Sequence, residues 1–100
     1  MASYSVSVPH ELGQETARAR VERFLDEVRR DYADHIDDVE GEWSGNHLQF
    51  GFVTSGLTIK GTLAVEETAV HVTGPLPLIA AMFRGRIEQQ IRNDLERLLS

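Results

Sequence analysis

The strongest apolar pattern lies toward the C-terminal end. Ile79, Phe83, Ile87, Ile91, Leu95 and Leu99 recur every four residues, with Leu76, Ala80 and Leu98 on or near the same side. That spacing makes one stripe at 3.6 residues per turn and predicts a single long helix over residues 75–99. Arg92, Asn93, Asp94, Glu96 and Arg97 flank the stripe or face away from it. Such a stripe is stable in water only when another part of the chain covers it.

The remaining pattern supplies that cover. Tyr4, Val6 and Val8 alternate with Ser3, Ser5 and Ser7, which predicts a short strand with one wet face, ended by Pro9. A first helix follows, opening near Gly13 and running to about Tyr32, with Ala17, Val21, Phe24, Leu25 and Val28 at helical spacing. An acidic connector with Asp31, Asp34, Asp37 and Asp38 leads into a stretch where the period drops to two. Val39, Gly41 and Trp43 form one strand face; Leu48, Phe50 and Phe52 the next; Leu57, Ile59, Gly61, Leu63 and Val65 the third; Val70 and Val72 the last. Turns are predicted at 44–47, where Gly45-Asn46 is a hairpin signal, at 54–56 and at 66–68. Gly74 and Pro75 end the sheet.

Every strand has one apolar and one polar face, the signature of an antiparallel sheet covered on one side. The expected fold is therefore a single α+β domain over residues 1–100. It has two layers: one curled, mainly antiparallel sheet of about five strands in β-α-β-β-β-β-α order, with both helices on one face. Gly41 and Gly61 fall on inward positions. They mark either a curl that holds the C-terminal helix or plain tolerance of glycine.

Bulk composition narrows the function classes. One hundred residues suffice for one core. Sixteen acids against ten bases give a net charge of −6. That speaks against a general nucleic-acid binder and against electrostatic docking on an anionic membrane. The absence of cysteine removes disulfides, thiolate nucleophiles and Cys-based zinc sites. No secretory leader and no transmembrane-length apolar run is expected, so a cytoplasmic protein is the simplest expectation.

Candidate chemistry is sparse. His10, His35, His47 and His71 show no helical metal-ligand spacing, and the acidic 35–38 segment lacks the glycine and terminal glutamate of a calcium loop. Ser44 and Ser55 lie in turns with no nucleophile-elbow pattern, and the eight glycines form no phosphate loop. No catalytic residue, cofactor or metal is assigned. An RNA-recognition sheet would carry aromatics on its open face, but Tyr4, Trp43, Phe50 and Phe52 all have inward parity, so no nucleic-acid partner is expected.

Residues 76–83 carry no charge, and Leu78 and Met82 point away from the main stripe on a helical wheel. Either the helix starts later, or the chain start or first helix covers these two, or they form an exposed apolar contact site. In the last case Leu78, Ala81, Met82 and Arg86 are the candidate contact residues.

The segments His10-Glu11-Leu12-Gly13, 43–50 from Trp43 to Phe50, Gly56 with Gly61, and 85–91 from Gly85 to Ile91 resemble the small bacterial polyhydroxyalkanoic acid system proteins. The resemblance spans nearly the whole chain and departs from the pattern at Pro75-Leu76-Pro77. It implies a link to polyhydroxyalkanoate storage and supplies no catalytic residues. The expectation is a non-enzymatic accessory or binding protein that meets a protein partner or a hydrophobic granule surface. The alternative is a helix-grip domain, binding a small hydrophobic ligand or acting as a cyclase. Its cavity would lie between sheet and C-terminal helix, lined by Trp43, Phe50, Phe52, Ile59 and Phe83. A homodimer through the sheet edge or the last helix is a third possibility.

Overall fold

The computed structural model describes residues 2–31, 37–54 and 57–100. The expected connector residues at 32–36 and the turn residues Ser55 and Gly56 lie outside the described residues. Strands β1 (Ser3–Pro9), β2 (Asp37–Ser44), β3 (His47–Thr54), β4 (Leu57–Val65) and β5 (Ala69–Pro75) form one antiparallel sheet in the order β1-β5-β4-β3-β2. Helix α1 (Gln14–Asp31) follows β1, and the short α2 (Leu78–Ala81) and the longer α3 (Arg84–Leu99) follow β5.

The alternation in the sequence sets the layers. Tyr4, Val6 and Val8 of β1, Val70 and Val72 of β5, Leu63 and Val65 of β4 and Leu48 of β3 all face inward and are buried. Ala17 and Val21 of α1 and Leu95 and Leu99 of α3 join the same cluster, so both long helices lie on one face of the sheet. The helix ends follow local rules. Glu15 sits in the first turn of α1 and Arg29 and Arg30 in its last, complementing the helix dipole. Arg20 Nη1 donates to the carbonyls of Leu98 and Ser100 at 3.0 and 2.8 Å, which caps the end of α3 and ties it to α1. Gly45 turns the β2–β3 hairpin at φ 62°, a conformation that favours glycine.

The two sheet edges are closed by different means. Along β1, α3 supplies the missing partners: Ser5 N–H donates to Glu88 Oε2 at 2.9 Å, and Arg92 Nη1 donates to the Ser7 carbonyl at 3.1 Å. These backbone groups face away from β5 and would otherwise be free to recruit another strand. The β2 edge instead carries Glu40 and Glu42 and shifts register between Asp37 and Glu40, two devices that discourage strand addition.

Gly61 and Gly41 make room, though not for the C-terminal helix. A Cβ on Gly61 would collide with the Tyr4 hydroxyl and lie 2.6 Å from Phe50 Cζ. A Cβ on Gly41 would lie 3.2 Å from Leu25 Cδ1 of α1. The curl near Gly61 is thus filled from β1 and β3. Pairing of β4 with β5 ends at Thr62↔Thr73. Just beyond it, the Tyr4 hydroxyl donates to the Lys60 carbonyl at 2.8 Å, replacing a partner from the neighbouring strand.

The single long helix expected over 75–99 is broken. Phe83 N–H closes a tight turn onto Ala80 O at 2.9 Å, Phe83 itself sits at φ −111° and ψ 20°, and a new helix starts at Arg84. The chain leaves the end of β5, while α3 must lie along β1 to reach Ser5 and Ser7, so the direction changes in between. The stripe therefore reaches the core through Leu95 and Leu99 in α3 and through Leu76 and Ala80 ahead of the break, with Ile87, Ile91 and Leu98 packed against it. Ile79 and Phe83, expected on that stripe, are exposed instead.

Candidate functional site

The break leaves an apolar knuckle. Pro75 and Pro77 bracket Leu76, whose N–H donates to Ala2 O at 2.9 Å. Pro77 begins the single turn of α2, and Ala81 N–H donates back to its carbonyl at 2.9 Å. Two small anchors hold the turn down: Leu76 and Ala80 are buried. The other side chains point outward, with Leu78 at 87%, Met82 at 83%, Ile79 at 67% and Phe83 at 51% exposure. Isolated exposed apolar residues are ordinary, but four large ones within six positions are not.

The rim of the knuckle is cationic. Arg84 and Arg86 open α3, which has no acid in its first turn and no side-chain cap at Phe83. Arg84 Nε lies 3.6 Å from Glu88 Oε2. Among the described residues Arg86 makes no ion pair, and it is exposed. Ala81 is half-buried on the same turn. Of the candidate contact residues, Leu78, Met82 and Arg86 are thus exposed and Ala81 is half-buried, and Ile79, Phe83 and Arg84 are exposed beside them in the chain. Their spacing of four with Ile87 hid Ile79 and Phe83 in the sequence. The Pro-Leu-Pro entry and Gly85 were the available signals of a break.

The candidate cavity residues are placed apart. Trp43 is half-buried beneath Arg18, whose guanidinium carbon lies 4.5 Å from the ring centroid. It borders a groove of about 220 Å³ between α1 and β2, with Leu25, Asp26 and Arg29. Phe50 borders a different trough, about 660 Å³, with Glu40, Glu42, Gln49, Lys60, Thr62 and Thr73. Phe52 and Ile59 face each other across β3 and β4 and are half-buried, outside the main core cluster. Phe83 is on the knuckle.

One polar array emerges only from the fold. Ser7 and His71 face each other across β1 and β5, and Ser7 Oγ lies 2.6 Å from His71 Nδ1. Glu66 Oε2 lies 3.2 Å from His71 Nε2. The order resembles a nucleophile, a base and an orienting carboxylate. It sits on the open outer face, outside both grooves, where nothing excludes water or frames a carbonyl. The pairing was not legible because β1 and β5 are distant in sequence. His10, by contrast, is buried and structural: Leu12 N–H donates to its Nδ1 at 3.2 Å, so its Nε2 donates to Glu66 O at 3.0 Å. The outward strand positions around these groups are Ser5, Thr73, Lys60, Thr62, Gln49 and Glu42; no described outward position carries an aromatic ring, and Phe50 reaches this side at the border of the trough.

Among the described residues no three His, Asp or Glu side chains converge on a common point where a metal could sit. No helix is long and apolar enough to cross a membrane. A search of curated proteins and a search of solved structures each found no match. Residues 5–99 do match a family, the one described as "putative polyhydroxyalkanoic acid system protein", and the chain belongs to it.

Proposed function

We propose that this protein is a non-enzymatic accessory protein of polyhydroxyalkanoate storage that works in the cytoplasm. It docks through the α2 knuckle onto the apolar surface of the storage body. The observation that carries this reading is the set of four exposed apolar side chains, Leu78, Ile79, Met82 and Phe83, on a turn anchored by the buried Leu76 and Ala80. Among the described residues no other large apolar side chain is left exposed, and the chain gains nothing in water from such a turn. Family membership supplies the storage context. The Ser7–His71–Glu66 array lies on an open face and gives no enclosed site for catalysis.

Burying Leu78 and Met82 alone contributes about 3–6 kcal/mol before association costs, from transfer values of about 1.5–3 kcal/mol each. Ile79 and Phe83 must then share the contact for stable docking. Co-sedimentation with isolated polyhydroxyalkanoate granules tests the reading. The parent protein is expected in the granule fraction, and a Leu78→Ser, Met82→Ser variant in the supernatant with unchanged thermal stability. Equal recovery of both proteins with granules, or of neither, would sink the proposal.

A further inference from the structure

From the charge around the knuckle, we infer that its docking partner is a lipid layer bearing anionic headgroups. This rests on the docking role proposed above and adds the chemistry of the surface. The chain's net charge of −6 is unevenly placed. From residue 68 to residue 87 there is no Asp or Glu, while Arg84 and Arg86 contribute +2, leaving −8 for the rest of the chain; Glu88, 3.6 Å from Arg84, brings the local sum to +1. The molecule is 36 Å along its longest axis. Fields fade within about 8 Å at physiological salt, so a surface touching the knuckle meets mainly its local charge. The bulk acidity that speaks against an anionic surface is therefore not what the docking end presents.

The shape favours the same partner. The knuckle is one short turn, and a stable protein–protein contact uses roughly 800 Å² and 20–30 residues on each side. A symmetric pairing of two knuckles would also bring Arg84 and Arg86 toward their own copies. A lipid layer needs no matching footprint. Binding there grows with inserted apolar area and with cation attraction to headgroups. Leu78, Ile79, Met82 and Phe83 enter the acyl boundary, and Arg84 and Arg86 meet the phosphates. Position within the fold suits this, because Leu76 and Ala80 keep the turn fixed while it is inserted.

The experiment is partitioning of the full chain onto three probes: vesicles of phosphatidylglycerol, vesicles of phosphatidylcholine, and bare polyhydroxybutyrate particles. Expected is at least tenfold preference for phosphatidylglycerol, weakened by salt. An Arg84→Gln, Arg86→Gln variant is expected to lose roughly 30-fold in partitioning at low salt, at about 1 kcal/mol per arginine near an anionic surface. Leu78→Ser with Met82→Ser is expected to abolish binding. Melting temperatures of both variants check their folding; if either variant is unfolded, the headgroup and salt dependence of the parent protein decides alone. Equal binding to both vesicle types, or arginine variants that bind as the parent does, overturns the inference. Binding to bare polyester but not to vesicles overturns it while leaving the docking role intact. Binding to none of the three overturns both. Concentration-dependent self-association that vanishes with Leu78→Ser and Met82→Ser assigns the knuckle to a second copy and overturns the lipid reading.

Discussion

Removing one oxygen atom tests how the curled part of the sheet is held. Tyr4 is 1% exposed, and its hydroxyl donates to the Lys60 carbonyl at 2.8 Å, just past the point where β4 and β5 stop pairing. Tyr4→Phe keeps the ring and leaves that carbonyl without this partner. Loss of this part-buried hydrogen bond costs about 0.5–1.5 kcal/mol, so a loss of that size is expected near pH 7. Burial also pushes the Tyr4 hydroxyl up to about 12 from an ordinary value of 10.0. The sign follows from which state holds the proton. Between pH 10 and 12 the unfolded chain gives up this proton while the folded chain keeps it. Tyr4 therefore favours folding fully below pH 10, and its contribution is lost as pH rises through 12. Two pKa units correspond to about 3 kcal/mol, of which about 2 kcal/mol is expected by pH 11.5. The phenylalanine variant lacks this dependence, and every other titrating group is common to both proteins. Urea unfolding followed by the fluorescence of Trp43, the single tryptophan, reads both effects. The stability gap, parent minus variant, is expected to fall from pH 9 to pH 11.5. A gap that stays constant over that range, or a loss below about 0.5 kcal/mol at pH 7, refutes the argument.

Further outcomes follow from other contacts. Gly61→Ala places a methyl group against the Tyr4 hydroxyl and Phe50 Cζ, so a loss of at least about 2 kcal/mol is expected in the same urea assay. Leu95→Ala and Leu99→Ala, both in the buried cluster, should each cost about 2–5 kcal/mol, whereas Leu78→Ala should stay within about 0.5 kcal/mol. A gel-shift titration should detect no salt-sensitive binding to single-stranded DNA or RNA, since no described outward strand position carries an aromatic ring.

Much of this fold was legible because burial here follows period two so faithfully. Tyr4, Val6 and Val8, Leu63 and Val65, and Val70 and Val72 each announce a one-sided strand, and all are buried. The hairpin at Gly45-Asn46 was equally plain. The last helix misled for a physical reason: Ile79, Phe83 and Ile87 keep a four-residue rhythm through a break that only tertiary direction demands. The role of Gly61 was hidden for a similar reason, since the side chain that fills its space belongs to Tyr4, distant in sequence. For the knuckle, Leu78 and Met82 stood out as misfits, while Ile79 and Phe83 passed as core. The Ser7–His71 pair needed the strand order, which alternation cannot supply.

The β1–β5 pairing has a consequence for the order of folding. Val8 pairs with Val70 and Ser3 with Pro75, whereas β2, β3 and β4 each pair with the next strand along the chain. A nascent chain can zip the four later strands as local hairpins, but the first strand made has no partner until the last one has emerged. Closing that long loop carries an entropic cost that the local hairpins avoid. Meanwhile Ser3, Ser5 and Ser7 keep the waiting segment half polar. In pulse-labelled hydrogen exchange during refolding, the Val6 and Val8 amides should gain protection after those of Leu48 and Leu63; the reverse order would show that β1 and β5 meet first.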